Sequence, residues 1–208
     1  MKKSISLFLI LIAIAVFCSA KRWNPKVVEE FHDATGTPED SVIFYGAFNS
    51  MDSKAIISFT QTNSDFEPDK QTMTGDYFIS KPVRPGSRYI LQHLEGVENM
   101  TSYVGNGGAP GFKRRVTSYD YKEHFSQKNT PLTIEIPDKP GLYYFGYYKA
   151  RATAEYKDLV EMQPVLLGPK TPAEWEADVL KNAITLYKDT EWEIKLQERL
   201  NSLLEEKK

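Results

Sequence analysis

"PGLYYFGYYKA", residues 140–150, sets five aromatic rings into the six positions 143–148, with Gly146 as the gap. Whether those rings line a ligand platform or the inside of the fold decides how the chain is read. Side chains along a strand alternate between two faces. Leu142, Tyr144 and Tyr148 therefore share one face, and Tyr143, Phe145 and Tyr147 share the other. A second stretch helps to choose between them. "ISKPVRPGSRYILQH" (79–93) aligns without gaps on "IEIPDKPGLYYFGYY" (134–148), through Pro-x-x-Pro-Gly-x-x-Tyr. Proline presets φ at the second position of a turn and glycine accepts positive φ at the third, so both copies read as a type II turn entering a strand. In the first copy Tyr89 and Leu91 form the more apolar face, and by analogy Tyr144 and Tyr148 point into the core. Tyr143, Phe145 and Tyr147 then project outward. Three such rings carry about 450–750 Å², as much as the largest apolar patch a monomer usually leaves open. A cover is expected, or else a binding site; reversed faces are the remaining alternative.

Further strands flank this one. "SVIFYGAF" (41–48), "KAIISFTQT" (54–62), "GDYFIS" (75–80), "SRYILQHL" (87–94), "RRVTSYDY" (114–121) and "PLTIEI" (131–136) are short, rich in β-branched and aromatic residues, and separated by turn residues. "EYKDLVEM" (155–162) is ambiguous between strand and helix. The pattern predicts a mainly β chain, an antiparallel β-sandwich of seven to eight strands over 41–168.

From Thr171 the period becomes helical. "TPAE" (171–174) is a capping box, with Thr171 as N-cap, Pro172 in the first turn and Glu174 at N3. Trp175, Val179, Ala183 and Tyr187 follow at steps of four, with Leu180 and Ile184 beside them. Thr190 and Glu193 repeat the cap, and Trp192, Leu196, Leu200, Leu203 and Leu204 form a second stripe. The expectation is a C-terminal helical hairpin over 171–206, α+β overall, with one bent helix as the alternative. Its stripes need an apolar surface, and the Tyr143/Phe145/Tyr147 row is the nearest.

The Pro-Gly-x-x-Tyr turn leading into an aromatic strand resembles the transthyretin-like and carboxypeptidase-regulatory-like β-sandwiches of bacterial envelope proteins. The whole arrangement is similar to bacterial envelope lipoproteins of unassigned function. The resemblance covers residues 40–163 and implies a non-catalytic adhesion, scaffold or binding module, with no site residues to carry over.

The N-terminus supports export. Lys2 and Lys3 precede an apolar stretch at 5–17, which reads as a signal peptide over 1–20 followed by a lead segment over 21–40. Cleavage before Lys21 is expected; lipidation of Cys18 is the alternative. Cys18 is the only cysteine, so residues 21–208 hold no disulfide, thiolate metal site or cysteine nucleophile. The formal charge is −2, and more negative by two once Lys2 and Lys3 are gone, which argues against nucleic acid as a partner.

Other motifs are weak. "GNGGAPG" (105–111) lacks the ending of a P-loop, yet with Lys113, Arg114 and Arg115 it forms a candidate recognition element. His32, His93 and His124 have no metal spacing. Asp65, Glu67 and Asp69 alternate along a loop that would hold calcium only loosely, lacking the EF-hand pattern. "NMT" (99–101) is a formal glycosylation sequon, and no nucleophile elbow occurs. The candidate binding residues are thus Tyr143, Phe145, Tyr147, Lys113, Arg114 and Arg115, with no cofactor. The reading is an exported, non-enzymatic binding or structural module of the periplasm or envelope. Its partner is an envelope protein or glycan, and it meets the membrane only through an anchor at Cys18. Alternatives are a glycan- or peptide-acting hydrolase, and an assembly subunit that presents Trp192, Leu196 and Leu200.

Overall fold

A computed structural model describes residues 23–49, 56–65, 67–102, 111–120, 132–152, 160–164 and 170–206. The leader with Cys18, the 105–110 loop, His124 and the 155–159 part of the ambiguous run lie outside the described residues, as do the side chains of 95–102 and 111–120.

Two sheets and three helices make an α+β fold. One sheet is four-stranded in the order β4-β1-β8-β9, and contains β1 (Val42–Asn49), β4 (Tyr77–Ile79), β8 (Gly141–Ala152) and β9 (Val160–Pro164). The other has the order β3-β2-β5-β6, from β2 (Ile56–Gln61), β3 (Lys70–Thr74), β5 (Arg88–Ser102) and β6 (Gly111–Asp120), with β7 (Thr133–Glu135) also paired to β5. The helices are α1 (Pro25–His32), α2 (Pro172–Leu186) and α3 (Glu191–Glu205).

β1 shows why the first sheet is central. Its run Val42 to Phe48 is apolar apart from Gly46 and buried throughout. A strand without alternation is one covered on both faces, here by the second sheet on one side and by α2 on the other. Its partner β8 runs parallel to it, with Val42 opposite Gly141 and Phe48 opposite Tyr148. The expected all-antiparallel pairing is corrected at this one pair; the other strand pairs named here are antiparallel.

The sheets meet through a cluster of rings. Phe44 of β1 lies 5.8 Å from Phe59 of β2 and 5.0 Å from Tyr89 of β5, and Phe59 lies 4.7 Å from Phe78 of β4. Such edge and offset contacts add to the burial of ring area, at about 0.5–1.5 kcal/mol per pair.

The helices close the opposite face of the first sheet. Thr171 and Glu174 form the expected capping box, the hydroxyl accepting from the Glu174 amide and the carboxylate accepting from the Thr171 amide at 2.6 Å. Val179, Leu180, Ala183, Leu186 and Tyr187 are buried, as are Trp192, Leu196, Leu200 and Leu203 of α3; Leu204 departs from the expected stripe and is exposed. The second cap also differs. The Thr190 hydroxyl donates to the Tyr187 carbonyl at 2.6 Å, while the Glu193 carboxylate accepts from the Asp189 amide. Asp189, at φ 63°, turns the corner between the helices. No helix among the described residues is long and apolar enough to cross a membrane.

Two elements carry weak sequence signals. α1 lies in the expected lead segment, capped by Asn24 and opened by Pro25. β3 hides in polar sequence, and only the buried alternation of Gln71 and Met73 marks it as a strand.

Candidate functional site

The aromatic row of β8 is split between the two faces of its sheet. Tyr45 pairs with Tyr144 and Gly46 with Gly146, so Phe145 is an extra residue in β8, a bulge that interrupts the alternation. Gly146 takes φ 111° to form it, a conformation costly for a residue bearing Cβ. The Phe145 ring occupies the space that Gly46 leaves empty, where a Cβ would lie 2.3 Å from the ring. It is buried 5.8 Å from Phe59 and 5.9 Å from Phe48, between the sheets. The expectation that Phe145 projects outward with Tyr147 is therefore corrected. Tyr148, 6.4 Å from Phe48, shares the inter-sheet side. Tyr143, half-buried and in register with Phe44, shares that inter-sheet face rather than projecting outward as expected, whereas Tyr147 keeps the outward face.

Tyr144 and Tyr147 take the helix side. The echo from Tyr89 misassigned Tyr144, because Tyr89 packs against Phe44 between the sheets whereas Tyr144 packs 5.5 Å from Tyr45 beneath the helices. The echoed turns also differ. Ser87 donates to the Arg84 carbonyl around Gly86 at φ 74°, as a type II turn requires. Gly141 instead has φ 130° and gives its amide to the Ser41 carbonyl, opening β8 against β1 rather than closing a tight turn.

The seam under α2 is the most densely functionalised region described. Tyr147 stacks on Trp175 at 4.2 Å and an interplanar angle of 25°. The Lys170 ammonium lies 4.7 Å from the centre of the same indole and 2.5 Å from the Asp178 carboxylate. The Trp175 indole is thus engaged by both a ring and a cation. At the next residue, the buried Glu176 carboxylate accepts from the Tyr45 hydroxyl at 2.9 Å. It also accepts from Arg199 of α3 at 2.8 and 3.1 Å. This fork joins both helices to β1 and keeps the carboxylate charge paired where water does not reach it. Burial, followed by the Glu176 charge, pushes the Tyr45 phenol far above its usual range. Burial does the same to Tyr144, again with Glu176 as the next cause.

Two other phenols behave alike. Tyr187 donates to the Ser80 carbonyl at 2.7 Å, and burial raises its pKa. Tyr89 is raised by burial and then by its 2.7 Å bond to Asp69, which also accepts from Gln71 at 2.6 Å. Asp69 thus serves the second sheet. Among the described residues no group of three or more His, Cys, Asp or Glu side chains could hold a metal ion, and the grouping with Asp65 and Glu67 gains no support. His32 ends α1 and His93 lies on β5.

Lys113, Arg114 and Arg115 fall on β6, the edge strand of the second sheet, in register with Met100, Asn99 and Glu98. Tyr147 belongs to the other sheet, so the two halves of the sequence-derived site are not brought together. Charge along an edge strand discourages pairing with other chains, which suffices to explain this basic run. Trp192, Leu196 and Leu200 are buried and not offered to a partner. The Tyr45–Glu176–Arg199 fork was missed in the sequence. Its signal was an acid at 176 in step with Leu180 and Ala183 on an otherwise apolar stripe.

The chain matches no protein-family model, no curated protein and no solved structure. Its class therefore rests on the fold alone: an α+β protein of two sheets, with a helical pair docked on one of them.

Proposed function

We propose that this chain is an exported, non-enzymatic binding or structural module of the bacterial cell envelope, its two sheets forming a β-sandwich. One observation carries the reading. Of the strongly perturbed phenols, Tyr45, Tyr89 and Tyr187 each donate to an acceptor on another segment, Tyr144 is buried with no hydrogen-bond partner among the described residues, and the buried Glu176 already accepts from Arg199 and Tyr45. Perturbed groups often mark catalysis, but structural networks perturb them as well. Here the bonds of Tyr45 and Tyr187 tie the helices to the first sheet, and that of Tyr89 stays within the second, so these three groups are engaged in holding the fold. The basic leader and apolar stretch at 5–17 support export, and the scarcity of cysteine fits either cleavage or an anchor at Cys18.

The test uses residues 21–208, incubated with neutral and acidic glycan oligomers and with a casein digest. Mass spectrometry follows turnover, and chemical-shift perturbation follows binding. The expected result is no turnover, with any shifts saturating at fixed substrate mass. Hydrolysis that survives purification and disappears in Glu176→Gln, with the fold intact, would refute the proposal in favour of an enzyme. Edman sequencing and mass spectrometry of the exported chain read the N-terminus; a retained residue 1–20 segment would sink the export claim.

A further inference from the structure

We draw no further inference here: the strongest candidate, the flank where edge strands β6 and β9 end the two sheets and where Lys113, Arg114 and Arg115 run along β6, carries nothing because Glu98 already stands opposite Arg115 in the strand register and nothing in the structure shows what covers that flank.

Discussion

Replacing Gly46 with alanine tests the bulge on which the arrangement of the aromatic row rests. The added methyl would meet Phe145 Cε2 at 2.3 Å, Phe145 Cζ at 2.5 Å and the Gly146 carbonyl oxygen at 2.7 Å. Real Cβ atoms do not come this close, so something must move. The ring has little room to retreat, because Phe44, Phe48, Phe59 and Phe78 stand 5.8–6.2 Å from it. The carbonyl can withdraw only by loosening the β1–β8 pairing. Overpacking of this kind costs about 1–3 kcal/mol, and the double clash places Gly46→Ala near the upper end. At roughly 2–4 °C per kcal/mol for a chain of this size, the melting temperature falls by about 4–12 °C. Thermal and urea unfolding, each followed by the fluorescence of Trp23, Trp175 and Trp192, measure the shift and the free energy. Phe145→Ala alone costs about 3–5 kcal/mol through the cavity it leaves. In the double variant the new methyl occupies part of that cavity, so the combined loss is smaller than the sum by at least about 0.5 kcal/mol. Had Phe145 faced outward, as the echo of the Tyr89 strand implies, Gly46→Ala would be tolerated and the two changes would add. A variant Gly46→Ala within about 0.5 kcal/mol of the parent, or strict additivity, refutes the bulge.

Further expectations concern the helix seam and the turns. Arg199→Ala strips the buried Glu176 of its cation and costs about 3–5 kcal/mol, whereas Glu176→Gln costs less because half-exposed Arg199 can turn to solvent; equal losses in urea denaturation would contradict the fork. Alkali provides a pH test, since phenols held protonated in the fold and free at about pH 10 when unfolded stabilise fully below pH 10 and progressively less above it. Each of the buried Tyr45, Tyr89 and Tyr187 removes about 1.4 kcal/mol per pH unit above that point; a flat urea midpoint between about pH 9 and 11.5, a window set by the reference tyrosine value, would exclude it. Gly141→Ala has open space around the new methyl but inherits φ 130°, so calorimetry should show a loss of about 1–3 kcal/mol from backbone strain alone. Truncation after Gly168 uncovers Tyr45, Tyr144 and Tyr147 and should produce aggregation or binding of a hydrophobic dye. A soluble fragment with the parent's thermal transition would show that the helices are dispensable.

The helices were legible because capping and amphipathic spacing are local: Thr171, Pro172 and Glu174 set the start of α2, and the stripes from Val179 and Trp192 are buried as their spacing requires. The strand segments were legible from β-branched and aromatic runs, whereas the double cover of β1, marked only by a run without charged residues, went unread. What alternation could not supply was the parity of β8. One bulged residue, Phe145, puts Tyr147 and Tyr148 on the faces opposite to those that alternation from Tyr144 would give them. The cause lies on another strand, in the missing side chain of Gly46, and only the register of β1 against β8 brings the two together. The Glu176 fork was hidden for the same reason, since Arg199 comes from the next helix and Tyr45 from the first strand.

The parallel partnership of β1 with β8 also orders events in time. Val42 pairs beside Gly141, and β8 separates β1 from β9 in the finished sheet. Distant pairings of this kind slow folding, because the intervening loop must close before they reward it. A polypeptide emerging amino-end first from a ribosome would hold its greasiest strand without its main neighbour until most of the molecule was out. Fragments that stop short of Gly141 should therefore prove insoluble.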